Sequence, residues 1–177
     1  SASELPLIMR RWRGGRGHAV SALEMPDAPV QPGWNQPKTP FKAPICIEWE
    51  SARLKNRRRV WIFTTGDDGP ERPLAVLLDG QFWAESMPVW PALASLTTER
   101  KLPPAVYVLI DAIDMEHRSR ELPCNRDFWL AVQEELLPHV KQLAPFSDRP
   151  DRTVVAGQSF GGLSSLYAGL NWPQRFG

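Results

Sequence analysis

The sequence contains no apolar run near the ~20 residues that a membrane-spanning helix requires, so no membrane partner is expected. Charge of one sign is also lacking. Lys and Arg number 21 against 20 Asp and Glu, a formal net charge of +1, so no overall field selects nucleic acid or an anionic lipid surface. Cysteine is scarce: Cys46 and Cys124 lie far apart and in no metal-like spacing. A lone disulfide is unusual in a domain this apolar, so two free thiols in a reducing, cytoplasmic compartment are expected. His18, His117 and His139 form no cluster that would hold a metal, and no cofactor is implied. The N-terminal SASELPLIMRRWRGG places apolar residues before basic ones, the reverse of a secretory signal. The chain opens on Ser1 rather than Met and reads as processed, tagged or cut.

Proline and tryptophan, by contrast, are abundant at 18 and 8 residues. Six of the prolines, Pro26 to Pro44, crowd a region that shows no sustained period of 2 or 3.6. Proline fixes φ and removes a backbone donor, so residues 1–44 read as a Pro/Gly/Arg-rich linker or arm, or the remnant of an N-terminal β domain. RRWRGGRGH could be a nucleic-acid-binding tail or a plain interdomain segment. Only one Trp interleaves and the charge run is short, which favours the second.

The pattern changes at Ile45. ICIEWE alternates like a half-buried strand, and a second strand follows in RVWIFTT. Between them, Lys55 to Arg59 is a basic run that suits a solvated hairpin end better than a nucleic-acid patch. After the turn GDDGPERP, LAVLL and AVYVLI are continuously apolar, as strands covered on both faces are. SMPVWPALASLTTERKL has helical spacing. So does DFWLAVQEELLPHVKQLA, where Phe128, Val132, Leu136, Val140 and Leu143 form one stripe and Pro138 should kink or divide the helix. RTVVAG is a short strand and FGGLSSLYAGLNW a helix. The order β-α-β-α-β-α from Leu74 onward predicts an α/β fold, a doubly wound, mostly parallel sheet entered by an antiparallel pair with helices on both faces.

At the last strand-to-helix junction stands Gly157-Gln158-Ser159-Phe160-Gly161, a G-x-S-x-G sequence. By composition alone, three fixed residues at ~7% each would recur in about 5% of chains this long. The strand before and the helix after are what make it a nucleophile elbow, a strained turn lifting the serine Oγ above the sheet. Glycines two before and two after are expected where a side chain would strike backbone. The plainer alternative is a β-α turn whose serine caps the helix. In an elbow, the Phe160 N–H lies at a helix N-terminus and could receive a developing oxyanion. A second donor would come from the loop Asp79-Gly80-Gln81-Phe82-Trp83, where Gly80 permits a sharp turn that aims the Gln81 N–H. That loop also reads as an ordinary Asp-Gly strand ending.

GRGHAVSALEMP, RRVWIFTTGD, LLDGQFWAESMPVWPAL, LPPAVYVLIDAID, ELPCNRDFWLAVQEELLP and RTVVAGQSFGGLSSLYAGLNWPQRFG together resemble the enterochelin (enterobactin) esterases, esterase-D-like α/β-hydrolases. The resemblance implies a cytoplasmic serine hydrolase that opens the trilactone of an iron-loaded catecholate siderophore, with iron arriving as part of the substrate. It implies Ser159 as nucleophile and Phe160 and Gln81 as oxyanion donors. Arg118, in Arg118-Ser119-Arg120-Glu121-Leu122, matches a substrate-binding position. A guanidinium at the rim would attract the trianionic ferric tricatecholate, unless Arg118 is merely a surface residue paired with Glu121. Trp83 and Trp90 could stack on catechol rings or be core residues. In such hydrolases the acid and the histidine follow the serine, and no residue here matches them. Residues 45–177 therefore read as the N-terminal portion of a hydrolase domain through the elbow, with later strands missing. That leaves Thr153 to Ala156 as an open, apolar edge, and the 177 residues alone are expected to be inactive. Other readings are a broad carboxylesterase or acyltransferase on the same scaffold, or a module that only binds ligand. Oligomeric state is not legible.

Overall fold

In a computed structural model, residues 10–13, 19–22, 25–29 and 40–177 are described. Two short strands, β1 (Arg10–Arg13) and β2 (Ala19–Ala22), pair antiparallel and form a sheet of their own. Nothing in the period of that region announced them. Residues 14–18, His18 among them, and residues 30–39 of the proline-dense stretch lie outside the described residues.

The main sheet has five strands: β3 (Ile45–Ser51), β4 (Asn56–Thr64), β5 (Leu74–Leu78), β6 (Val106–Ile110) and β7 (Thr153–Ala156), in the spatial order β3-β4-β6-β5-β7. β3 and β4 pair antiparallel, as β4 does with β6, and β5 runs parallel to both β6 and β7. This is the doubly wound, mostly parallel arrangement expected, with its leading antiparallel pair. β4 begins earlier than RVWIFTT suggests. Its first residues Asn56 to Arg59 are in register with Glu48 to Ser51, and Lys55 turns the hairpin at φ +53°. The basic run is thus mostly strand, and the pleat divides it. Arg57 stands outside near Glu48 at 3.4 Å, while Arg58 is buried, which corrects the reading of a solvated hairpin end.

Strand alternation builds two cores. Val60, Ile62, Leu74, Val76, Val106, Val108 and Ile110 point to one face, where they meet Phe128, Trp129, Leu136, Val140 and Ala168. Trp61, Phe63, Tyr107 and Leu109 point to the other and meet Trp90 and Ala94. The second face is covered by α1 (Trp90–Thr98). The first is covered by α3 (Arg126–Ala131), α4 (Leu137–Leu143) and α5 (Phe160–Asn171). Between α3 and α4 lies a π-helical turn, Val132–Leu136, which ends two residues before Pro138. A proline cannot donate to the carbonyl four residues back and its ring crowds that carbonyl, and the wider turn absorbs both problems. The apolar stripe holds at Phe128, Val132, Leu136 and Val140 but not at Leu143, which is 45% exposed. The helix ends there, and Ala144 and Phe146 take the buried places.

Register matters most for function. Leu78 is level with Ile110, and Leu77 with Ala156, so the three parallel strands end at one rim of the sheet. The chain leaves β5 toward β6 on one side, then returns past β5 to β7 on the other. The gap between the ends of β5 and β7 is therefore the switch point where open α/β sheets place their sites. β7 is hydrogen-bonded on its β5 side alone, and Val154 is 59% exposed. The expected open edge is present among the described residues.

Candidate active site

Two turns flank the switch point. The first leaves β7: Gly157, Gln158 and Ser159 lead into α5. Ser159 has φ +56° and ψ −118°, a conformation rare for a residue with a side chain and one that stores strain. Its side chain is exposed and makes no capping hydrogen bond. A capping serine takes extended dihedrals and binds the first turn, so the capping alternative fails on both counts. The Ser159 and Gln158 carbonyls accept from Leu163 N–H at 3.0 Å and Gly161 N–H at 2.8 Å. The Phe160 N–H belongs to the first turn, whose donors a helix leaves unpaired.

The two elbow glycines do different things. A Cβ on Gly157 would lie 2.6 Å from the Gly161 carbonyl carbon and 2.7 Å from its Cα, so no side chain fits. A Cβ on Gly161 would meet nothing closer than 3.5 Å, at Leu78 Cβ. The expectation of a collision holds at Gly157 and is corrected at Gly161. Farther along α5, Ser164 is fully buried and its hydroxyl accepts the Trp129 indole N–H at 3.0 Å. This bond joins α5 to α3 and fixes the helix that presents Ser159.

The second turn leaves β5. Here Asp79, not Gly80, takes the left-handed conformation, at φ +56°. Gly80 is needed for closeness, since a Cβ there would sit 2.6 Å from the backbone of Leu109 and Ile110. Gln81 Oε1 accepts the Ala112 N–H at 3.1 Å, pinning the loop to the end of β6. A π-helical turn, Phe82–Ser86, follows, and Phe82 and Trp83 meet edge to face at 4.8 Å. Trp83 is half-buried against the second core, and Trp90 is a core residue, which removes it as a stacking platform.

Arg118 connects the turns. It lies in α2 (Met115–Glu121), whose N-terminus is capped by Asp114. Its Nε–H and Nη2–H donate to the Asp79 carboxylate at 2.6 and 2.9 Å, and Nη2 also reaches the Gln158 carbonyl at 3.2 Å. The guanidinium carbon stands 5.6 Å from the Phe160 ring centroid. The hydrogen bonds to Asp79 raise the Arg118 pKa above its ordinary value. Arg118 is not a surface residue paired with Glu121. Glu121 is buried and bound to Arg58, with Nη2 to Oε2 at 2.5 Å.

Neither histidine among the described residues is tied to Ser159. His117 Nδ1 lies 2.8 Å from Asp114 Oδ1, within its own helix cap, and His139 is exposed on α4. Cys46 and Cys124 are free and exposed. Among the described residues, no group of three or more His, Cys, Asp or Glu could hold a metal ion, and no helix is long and apolar enough to cross a membrane. A cavity of about 940 Å³ opens at the opposite rim of the sheet, beside Phe41, Thr65, Arg100 and Pro104. It lies far from both turns along the strand direction.

Residues 51–177 match the family described as putative esterase. The chain is 75% identical over 173 residues to the iron(III) enterobactin esterase of Escherichia coli O6:H1, covering 97% of this chain and 43% of that protein. It is 73% identical to the enzyme of the same name from Escherichia coli K12, with the same coverage. Among solved structures, the enterobactin esterase from Shigella flexneri, crystallised in the presence of enterobactin, superposes with a TM-score of 0.91 at 73% identity, covering 95% of this chain and 44% of that one. The chain thus spans less than half the length of these relatives.

Proposed function

Since the chain belongs to the putative esterase family, we propose that it is the elbow-bearing part of a serine esterase. That esterase hydrolyses the trilactone ester bonds of iron(III)-enterobactin and so frees the iron. The observation that carries this reading is Ser159, exposed at φ +56° on the turn between β7 and α5, in a chain 73–75% identical to proteins named for that activity.

In the reaction, Ser159 Oγ adds to an ester carbonyl and passes its proton to a general base. The carbonyl oxygen becomes an oxyanion, received by the N–H groups of Phe160 and Gln81. Collapse expels the seryl hydroxyl, which takes up the proton, and leaves an acyl-enzyme. Water then attacks the same carbonyl and releases the acid. The base and its orienting acid belong to neither turn. Trp83 offers a half-buried ring beside the oxyanion turn on which a catechol can stack. Arg118 brings positive charge to the rim for the trianionic ferric tricatecholate. Its Nε and Nη2 are committed to Asp79 and Gln158. Residues 45–177 read as the portion of a hydrolase domain that runs through its elbow, and residues 1–44 as a Pro/Gly/Arg-rich linker or arm, or the remnant of an N-terminal β domain. A cytoplasmic setting accords with two exposed free thiols.

The test uses the full-length protein and ferric enterobactin, with ring-opened products followed by chromatography. Ser159→Ala should lower turnover by about 10⁴-fold or more while ferric siderophore still quenches tryptophan fluorescence. Turnover of a simple aryl ester with none of the trilactone would establish the broad carboxylesterase instead. Quenching without hydrolysis in the unaltered protein would establish a binding module.

A further inference from the structure

We propose that Asp79 is a positioning residue whose clamp on Arg118 sets the oxyanion turn against the elbow. The inference rests on the serine-esterase reading above and concerns how its two N–H donors are brought into register. Asp79 holds φ +56° without being glycine, and such a conformation persists only where its surroundings impose it. Both of its carboxylate oxygens are taken by Arg118, at 2.6 and 2.9 Å. The fork geometry of a guanidinium fixes the direction of the carboxylate as well as its distance. The two side chains are only 15% and 16% exposed, so water competes weakly for the pair.

The same guanidinium reaches the other turn. Nη2 donates to the carbonyl of Gln158, the residue before Ser159, and the cation sits near the Phe160 ring. One side chain therefore spans the crevice, bound to the Asp79 carboxylate on one side and to the Gln158 backbone carbonyl on the other. The remaining freedom of the β5 turn is removed by Gly80 packed on β6 and by the Gln81 side chain on Ala112 N–H. Arg118 is itself anchored through α2, with Asp114 capping its start and Glu121 buried against Arg58 at its end. Breaking the Asp79 link frees the turn that carries Gln81 while leaving strands, helices and nucleophile intact.

Donors displaced by about 1 Å cost on the order of 10²-fold in rate. In the full-length protein, Asp79→Asn should lower kcat about 10²-fold for ferric enterobactin and for a neutral aryl ester alike, with KM changed less than about 3-fold. Asp79→Gly accepts the backbone angle but lacks the carboxylate, so it should lose as much. The double variant D79N/R118Q should be no worse than the poorer single one, since the two act as a unit. A different role for the pair gives different results. If Arg118 only attracts anionic substrate, Arg118→Gln raises KM for the siderophore and leaves neutral-ester kcat unchanged. If the pair only stabilises the fold, Tm falls and kcat per folded molecule holds. Either result overturns the proposal, as does full activity of Asp79→Gly. A second readout does not depend on turnover: the amide ¹H–¹⁵N signals of Gln81 and Phe160 should both move in Asp79→Asn and in Arg118→Gln. Unmoved signals overturn the proposal. Moved signals in a protein inactive on both esters would retire the esterase reading while keeping the clamp.

Discussion

Arg58 and Glu121 form an ion pair out of reach of water, with 2.5 Å between Nη2 and Oε2 and side-chain exposures of 1% and 5%. Arg58 also lies between the rings of Trp49 and Phe128, its guanidinium carbon 5.7 Å from each centroid. It donates further to the Asn56 side chain and the Asp111 carbonyl. The pair ties α2 to β4, and α2 carries Arg118.

Removing one member of such a pair leaves the other charge buried and uncompensated, which costs about 3–5 kcal/mol. Glu121→Gln should therefore destabilise the full-length protein by about that amount in urea unfolding. Replacing both residues by apolar ones, R58M with E121L, should recover most of the loss. A single substitution costing under about 1 kcal/mol would mean that water reaches the pair after all.

The elbow glycines allow a contrast within one motif. Gly157→Ala forces a Cβ to 2.6 Å from Gly161 backbone, which cannot give way without moving the turn. Labelling of Ser159 by a fluorophosphonate should fall at least about 10²-fold. Gly161→Ala meets only ordinary contacts near Leu78 and Asp79, and should label within a few-fold of the unaltered protein. Equal loss in both would show that Gly161 is needed for a reason other than space.

The architecture was legible because the strands announce themselves. LAVLL and AVYVLI are short, continuously apolar and bounded by Pro, Asp and Gly, which marks them as buried strands, and SMPVWPALASLTTERKL between them has helical spacing. What escaped was set by tertiary partners. Arg58 and Arg59 look like any basic run until the pleat sends one inward to Glu121 and the other to Glu85 and Asp111. β1 and β2 are too short to show a period. In the site, the Asp-Gly pair marks the turn after β5, but the residue in the left-handed conformation is Asp79 and not the glycine beside it. Asp and Asn are the side-chain-bearing residues best able to adopt that conformation, a signal the sequence did carry. The partner of Arg118 could not have been read locally: Glu121 is three residues away on the same helix, Asp79 thirty-nine residues away on another turn.

Trp129 and Ser164 supply a test of the support beneath α5. Ser164→Ala removes the acceptor of the indole N–H, in a place with no solvent to replace it. An unsatisfied buried donor costs about 1–3 kcal/mol. Thermal or urea unfolding followed by tryptophan emission should show that loss. Ser164→Thr keeps the acceptor and adds a methyl, so its cost reports packing alone. If Ser164→Ala is neutral, the bond is not what holds α5 to α3.

Asp114 gives the site a pH dependence of known sign. Its carboxylate accepts the His117 N–H at 2.8 Å and contacts the His117 ring, and the backbone hydrogen bond is the larger cause holding its pKa below the ordinary carboxylate value. A carboxyl depressed on folding stabilises the folded form at every pH above its unfolded value and loses that contribution as pH falls through its folded value. The start of α2, and with it the bearing of Arg118, should therefore hold through mildly acidic solution and loosen only below the usual carboxylate range. A ¹³C titration of the Asp114 side chain should show a midpoint lower than that of a free aspartate, with His117 amide protection falling over the same interval. A midpoint at the ordinary value, or protection that ignores it, would show that the cap does not depend on the charge.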